Sequence, residues 1–280
     1  MSAPSTPAPA RVLAATGGGL WRIVLALLLP AVLVTVWWFA SADSTDPQVP
    51  PLATVLDKFP TVWFAGDDLG SSLFVETVGQ SVSRVLIGYA IAMVIGIVLG
   101  VLIGTFRPLR DFCEPVLEFF RAIPPPILTP ILMLFMGIDH ALKISLIVVG
   151  ALWPILLNTI EGVRGIDPVL KDTARAYGLG PVRRLFSLTL PGASPQIYTG
   201  GRQALSIALI MMVIGEMFAA FDGIGSAIAQ FQATFSTASM WSAVLILGCI
   251  GSVLALIFGA VERVGLTWYR GYLRSQRGGA

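Results

Sequence analysis

The sequence predicts an all-α membrane protein with six transmembrane helices, and two observations lead to this fold class. The 280 residues are 55% hydrophobic and 12% charged, whereas an average soluble domain is about 25% charged. The apolar residues are gathered into six blocks, each close to the ~20 residues that a helix needs to cross the hydrocarbon core. In lipid every backbone amide must be paired within its own segment, so the blocks indicate helices and nearly exclude a water-soluble enzyme.

The apolar blocks divide the chain into five predicted segments. Residues 1–19 form a disordered cytoplasmic N-terminus, and residues 20–40 form the first span. Residues 41–72 form an extracytoplasmic segment, and residues 266–280 form a cytoplasmic tail. Residues 73–265 form a core whose five spans are predicted at 81–105, 116–137, 142–159, 197–220 and 241–261. A cleavable signal peptide is the less favoured alternative for the first span, because its apolar run exceeds the roughly 7–15 residues of a signal core.

The distribution of basic residues predicts the orientation of the chain. Lys and Arg are in excess in cytoplasmic loops. Here they are concentrated in the N-terminus, in the loops after the second and fourth spans, and in the C-terminus. The other connections hold mainly Asp, and the one between the fifth and sixth spans has Asp222 and no basic residue. Both termini are therefore predicted to be cytoplasmic.

Few residues offer metal or redox chemistry. Cys113 and Cys249 lack the spacing of a zinc motif or a disulfide framework, and His140 is predicted to be solvated in a short loop. We predict no catalytic site, no metal site and no nucleic-acid partner.

A stripe of small residues marks the second span. Gly96, Gly100 and Gly104 follow Ala92 at intervals of four, which places them on one helix face. Such a face lets another helix approach closely. Packing within the chain and dimerisation are both open at this point.

The third span is interrupted by prolines. Arg121 is followed closely by Pro124 and Pro125, and prolines remove backbone donors and bend or break a helix. Irregular backbone at membrane depth is tolerated where it faces protein or a wet cavity. This segment is predicted to border a pathway, with a simple kink as the alternative.

Two charged residues fall within the spans, Arg84 near the start of the second and Glu216 near the outer end of the fifth. Snorkelling of both side chains to the interface is one interpretation. Lining or gating of a pathway by Glu216 is the other. A self-powered pump is disfavoured, because the spans hold no relay of acidic residues.

The loop at residues 161–195 is predicted to form two short amphipathic helices. Asp167 is a suitable N-cap with Pro168 in the first turn, and Gly178 is suited to end the helix in a left-handed conformation. Gly180 precedes a second helix, which Pro191 is expected to stop. An interfacial helix on anionic lipid and a docking element for a cytoplasmic partner both fit this pattern.

Three motifs resemble those of ABC importer permeases. The signature loop of that family reads Glu-Ala-Ala, three residues, Gly, nine residues, Ile, one residue and Leu-Pro. This sequence keeps the spacing with Asp172, Thr173, Ala174, Gly178, Leu188, Leu190 and Pro191. It departs from the signature at Asp172, Thr173 and Leu188, and the first of these keeps the charge. Residues 121–125 and 153–159 resemble the nitrate, sulfonate and taurine branch of the family.

The resemblance implies a type I permease in a bacterial inner membrane. Two permease copies, here expected as a homodimer in the bilayer, sit on two ATPase subunits and receive solute from an extracytoplasmic binding protein. The signature loop is then the coupling helix between the fourth and fifth spans. ATP and Mg²⁺ are expected on the ATPase, because this chain has no GxxxxGK[ST] phosphate loop. The pathway is predicted to involve Arg121, Pro124, Pro125, Asn158 and Glu216.

The implied solute is a small anion such as an alkanesulfonate, taurine or nitrate. A stand-alone carrier or channel for a small solute is the alternative function, and a membrane scaffold without transport is a third. Residues 41–72 and the segment from Asp222 to Phe235 are predicted docking surfaces for the binding protein. In the second segment Ile228, Phe231 and Phe235 recur at helical intervals, which a lid packed on the transmembrane bundle explains equally well.

Overall fold

The computed structural model describes residues 17–46, 48–64, 72–219, 222–269 and 271, and this part of the chain contains helices and no strand. The helices are α1 (Gly17–Ser41), α2 (Leu52–Trp63), α3 (Leu73–Thr105), α4 (Arg107–Arg121), α5 (Thr129–Met136), α6 (His140–Arg164), α7 (Pro168–Ala176), α8 (Pro181–Arg184), α9 (Leu190–Ala219), α10 (Ile224–Ala233) and α11 (Thr237–Gly265). A 3₁₀ turn at Pro125–Leu128 precedes α5, and a π turn at Leu185–Thr189 joins α8 to α9.

Four of the described helices are long and apolar enough to cross a membrane. They are α3, α6, α11 and the continuous helix Pro181–Phe218 that contains α9. Each begins before the span predicted from hydropathy, because a helix continues beyond the hydrocarbon core into polar residues. α1 extends over the first predicted span. The full count of six and the orientation of the termini stay predictions, and the predicted tail and disordered N-terminus lie mostly outside the described residues.

The third predicted span, residues 116–137, is broken at its prolines, as the sequence predicted. α4 begins earlier, at Arg107, and its residues are exposed or half-buried. The helix axis then turns by 82° between α4 and the segment Pro125–Met136. The turn falls at consecutive prolines, which supply no backbone N–H and disfavour helical backbone in the preceding residue.

The core of the molecule is formed by α3, α6 and α9. α6 lies between the other two and contributes Leu146, Ile147 and Ile155 to an apolar cluster with Ala92 of α3 and Met211 of α9. All five side chains are buried. The position of α6 places its two faces against two different spans.

The glycine stripe of α3 lies against α6. A Cβ atom at Gly96, Gly100 or Gly104 would come within 2.5–2.9 Å of side-chain atoms of α6. The residues met on α6 are Ile155, Thr159 and Val163, each one turn beyond the last. The stripe therefore packs within the chain, and the small residues set the close approach of α3 and α6.

The ends of the spans that are predicted to face outward, which we call the outer ends, are covered by α2 and α10. Trp63 at the end of α2 is fully buried, and its Nε1 donates to Ser242 Oγ of α11 at 2.8 Å. Phe231 of α10 packs edge-on against the Trp63 ring. Phe235, which the sequence placed on the same helical face, lies beyond the end of α10 and is 91% exposed.

Candidate functional site

A buried ion pair joins α3 and α9 at their outer ends. Arg84 Nη1 lies 2.7 Å from Glu216 Oε1, and the two side chains are 2% and 0% exposed. Ser81 Oγ donates to the same carboxylate, and the backbone N–H of Gly225 donates to it at 3.0 Å. The interpretation that both charges snorkel to the interface is therefore wrong, because each side chain is turned inward and paired within the protein.

Asp222 extends this ion pair toward the outer surface. Its carboxylate accepts from Arg84 Nη2 at 2.7 Å and from Lys143 Nζ of α6. Burial raises the pKa of Asp222, but the hydrogen bonds from Lys143 and Arg84 outweigh it and hold this pKa below its ordinary value. We name Arg84, Glu216, Asp222, Lys143 and Ser81 the outer charge cluster. It connects α3, α6 and α9 with the segment before α10.

His140 lies at the edge of the outer charge cluster. Its Nδ1 accepts from Arg84 Nε at 3.2 Å, and its side chain keeps exposed surface. The residue begins α6, with the Asp139 side chain as N-cap, and does not lie in a loop as the sequence suggested. The helix places the ring beside Arg84.

Gly223 and Gly225 have no side chains, which allows the backbone to approach the Glu216 carboxylate closely. Gly223 has φ +99°, and a Cβ there would lie 2.3 Å from Cδ of Glu216. Gly225 opens α10, and its N–H points at the carboxylate. Partial positive charge at a helix N-terminus stabilises a carboxylate at this position. The segment between α9 and α10 thus supplies both the space and the donors for a buried acid.

The roles of Lys143, Asp222 and Ser81 in the cluster were not predicted from the sequence. Lys143 stands at the start of the fourth predicted span, and its side chain is 4% exposed. A signal was present, because Arg84, Lys143 and Glu216 all stand near the outer end of their predicted spans. Charges at one depth on neighbouring spans are expected to pair.

The loop between α6 and α9 begins as the sequence predicted. Asp167 caps α7 by accepting from the N–H of Val169 at 2.8 Å, and Gly178 ends the helix with φ +64°. Both predictions are confirmed. Lys171 Nζ donates to the Val163 carbonyl at 3.2 Å, and so places its charge at the C-terminal end of α6. Burial lowers the pKa of Lys171, and the charges of Arg175 and Arg110 lower it further.

The prediction that Pro191 stops the second short helix is wrong. The chain continues from α8 through the π turn at Leu185–Thr189 into α9 as one helix. Pro191 lies in the first turn of α9, directly after the register change, where the Leu190 N–H donates to the Leu185 carbonyl. The signature positions Leu188 and Leu190 lie half-buried at this junction.

The signature residues at the start of the loop differ in exposure. Ala174 is buried, whereas Thr173 is exposed and Asp172 forms an exposed ion pair with Arg175. Around them large apolar side chains are exposed. They are Val169, Leu170, Tyr177, Val182 and Phe186, which we name the coupling face after the role that the family resemblance predicts for this loop. Its apolar area remains uncovered by the described part of the chain.

The predicted pathway residues do not come together in one place. Arg121 forms an exposed ion pair with Glu118, and Pro124 and Pro125 lie in the turn between α4 and α5. Asn158 of α6 donates to Gln203 Oε1 of α9 at 3.3 Å. Glu216 lies in the outer charge cluster, near the other end of α9. Its predicted pathway role stays a prediction.

Comparison with known proteins decides the family. Residues 92–264 match the family model described as the binding-protein-dependent transport system inner membrane component. The chain belongs to this family. It is therefore an ABC importer permease, a multi-pass inner-membrane protein, of the branch that contains the taurine and sulfonate permeases.

Two named relatives cover most of the permease. The taurine transport system permease protein TauC of Escherichia coli is 27% identical over 89% of this chain and 90% of the relative. The bicarbonate transport system permease protein CmpB of Synechococcus elongatus is 30% identical over 87% of this chain and 91% of the relative.

Solved structures share the fold of the permease. An inward-facing form of the MetNI methionine ABC transporter has a TM-score of 0.62 and 21% identity, and covers 71% of this chain and 99% of the solved one. A bacterial alginate ABC transporter in complex with an alginate-bound periplasmic protein has a TM-score of 0.55 and 14% identity, and covers 89% of this chain and 98% of the solved one. At these identities the likeness shows the fold alone.

Proposed function

We propose that the permease forms the translocation pathway of an ATP-driven importer for a small anion with an oxyanion head group, such as an alkanesulfonate or taurine. The named relatives support this class of solute, because their names give taurine and bicarbonate. An extracytoplasmic binding protein delivers the solute in this proposal, and the alginate transporter was solved with such a periplasmic protein. The outer segments that contain α2 and α10 are the proposed docking surface.

The coupling face is the observation that carries the proposal. Tyr177 is 80% exposed and Phe186 is 65% exposed, on short helices that follow α6 and lead directly into α9. Exposed apolar patches next to polar residues mark protein interaction sites. A partner that grips this face would move α6 and α9 together, because these two helices pack along their length in the core.

The proposed partner at the coupling face is an ATPase subunit. Two permease copies would bind two such subunits, with ATP and Mg²⁺ held by the ATPase and none by the permease. Asp172, Thr173, Ala174, Gly178, Leu188, Leu190 and Pro191 are the proposed coupling residues. Nucleotide binding would then favour one of two packings of the spans. A stand-alone carrier is not favoured, because the chain belongs to a family of transport-system components.

Co-purification with the ATPase tests this proposal. Tyr177→Asp places a charge on the coupling face, and Phe235→Asp places one on an equally exposed aromatic position near the opposite, outer end of the spans. We expect Tyr177→Asp to lose most of the co-purified ATPase and Phe235→Asp to retain it, with both variants inserted in the membrane. Equal recovery of the ATPase with both variants would contradict the proposal.

A further inference from the structure

α9 carries a polar stripe on a face that the rest of the described chain leaves open. The stripe consists of Gln196, Thr199, Gln203 and Ser206, and each of these residues is exposed. Their spacing of three and four residues places them on one face of the helix. Gln203 lies near the middle of α9, and so at membrane depth.

The open faces of the neighbouring spans have the opposite character. Val94 of α3 is 64% exposed and Leu256 of α11 is 74% exposed, and most exposed side chains in the middle of these helices are also apolar. Ser252 of α11 is an exception, and its hydroxyl donates to the Gly248 carbonyl within its own helix. Apolar side chains are the ones expected against lipid tails. An amide without a hydrogen-bond partner is strongly disfavoured in hydrocarbon. The polar stripe therefore faces water or protein, and not lipid.

The stripe offers neutral hydrogen-bonding groups. Asn158 of α6 donates to Gln203 and so widens the polar area. Among the described residues, the side chains of Gln196 and Ser206 have no hydrogen-bond partner, which leaves them available to water or a solute. The neighbouring Arg202 is paired with Glu262 of α11.

The polar lining is confined to one half of α9. The exposed face continues beyond Ser206 with Ile210 and Met217, which are both apolar. The polar half is the one that adjoins the coupling face, because α9 follows α8 directly. Water can enter beside the polar half of this face, whereas apolar side chains such as those of the other half tend to exclude it.

We propose that the polar stripe and Asn158 line the half of the translocation pathway next to the coupling face, and that the amide N–H groups of Gln196 and Gln203 and the hydroxyl of Ser206 bind the oxyanion head group of the solute. The Asn158 amide and the Thr199 hydroxyl already donate within the protein and only position the lining. The choice of an oxyanion rests on the function proposed above, whereas the hydration of the stripe does not. Neutral donors bind an oxyanion only weakly, and a lining without carboxylates does not repel it. Binding at such a site is favourable enough for entry and weak enough for release.

Cysteine labelling tests the hydration of the stripe. In a Cys113→Ser, Cys249→Ser background, Gln203→Cys and Ser206→Cys probe the stripe, and Val94→Cys and Leu256→Cys are exposed apolar controls. The probe is the membrane-impermeant anion 2-sulfonatoethyl methanethiosulfonate, applied to open membrane fragments that contain the assembled transporter. We expect both stripe positions to react at least tenfold faster than both controls. Stripe positions that react no faster than the controls would overturn the proposal.

The charge preference of labelling tests the solute class. The rates of the anionic reagent and of its trimethylammonium analogue are each divided by the rate with free mercaptoethanol. We expect this normalised ratio to favour the anion at Gln203→Cys, and a preference for the cation would overturn the oxyanion assignment. Labelling needs no ATP, so it tests the hydrated lining separately from the proposed function. If the stripe reacts rapidly but the protein shows no ATP-driven uptake, the proposed function is contradicted and the hydrated lining is not.

Discussion

Arg84 and Glu216 form a 2.7 Å ion pair across 132 positions of the sequence, with both side chains removed from solvent. The pair joins α3 to α9, and Gly225 brings the N-terminus of α10 to the same carboxylate. Three elements distant in sequence are thus connected through one charge.

Removal of one partner of the pair is expected to destabilise the permease strongly. Glu216→Ala leaves the Arg84 guanidinium buried beside a cavity, and loss of one partner of a buried pair costs about 3–5 kcal/mol. Chemical unfolding in detergent measures the change. Asp172→Ala is the control, because its ion pair with Arg175 is exposed and such pairs contribute about 0–1 kcal/mol. Similar losses in the two variants would show that the outer charge cluster does not stabilise the fold.

Replacement of both partners is expected to recover part of the loss. Arg84→Met combined with Glu216→Leu removes both buried charges and keeps the volume filled, which in other proteins is often neutral or stabilising. The double variant should therefore be more stable than Glu216→Ala. A double variant at least as unstable as Glu216→Ala would show that the cluster acts through its hydrogen bonds to Ser81 and Gly225.

The contribution of Asp222 to the free energy of unfolding is expected to depend on pH. Its pKa in the folded protein is lower than the ordinary value of 3.8. The carboxylate therefore contributes its full stability above pH 3.8, and this contribution is lost as the pH falls through the lower folded pKa. The stability difference between the wild type and Asp222→Asn should shrink as the pH falls from 5 to below 3.8. Thermal unfolding over this pH range measures it, and a difference that grows on acidification would contradict the sign.

Gly100 is expected to tolerate no side chain. A Cβ there would lie 2.5 Å from Thr159 Cβ of α6, so Gly100→Ala should destabilise by about 1–3 kcal/mol as α3 and α6 are forced apart. Gly79→Ala is the control on the same helix, because nothing lies within 4 Å of its Cβ position. The control should be neutral or stabilising by up to ~1 kcal/mol. Equal changes in stability for the two variants would show that close packing of α3 against α6 at Gly100 is not required.

Gly178 and Gly180 form a matched pair for backbone strain in the loop between α6 and α9. Both have open space around the Cβ position, but only Gly178 has a positive φ, +64°. Gly178→Ala should therefore destabilise the loop by about 1–2 kcal/mol, whereas Gly180→Ala should have little effect. Hydrogen exchange of residues 168–190 measures the local opening. Faster exchange in Gly180→Ala than in Gly178→Ala would contradict the assignment.

Local sequence signals predicted the elements of the fold well. Long apolar runs located α3, α6, α9 and α11, and Asp167 and Gly178 were predicted as helix boundaries because capping depends on neighbouring residues alone. The glycine stripe of α3 predicted a close helix contact, but it could not name α6 as the partner. That choice depends on how the spans pack in three dimensions.

The features that the sequence did not predict have physical reasons. The prolines of residues 116–137 predicted a bend or break, but apolar composition gives neither the angle of 82° nor the start of α4 at Arg107. Pro191 was predicted to end a helix, but a π turn just before it shifts the hydrogen-bond register and lets the helix continue. Arg84 and Glu216 each resembled a solitary charge near a membrane surface, because their pairing depends on the contact of α3 with α9.

Transport by purified components is the most direct test of the central claim, that the permease is driven by a separate ATPase that grips the coupling face. The measurement is uptake of labelled taurine and ethanesulfonate into liposomes that contain the permease, with and without the co-purified ATPase, ATP and the binding protein. We predict ATP-dependent uptake with the complete system and none with the permease alone. Uptake by the permease alone at the rate of the complete system would contradict the account.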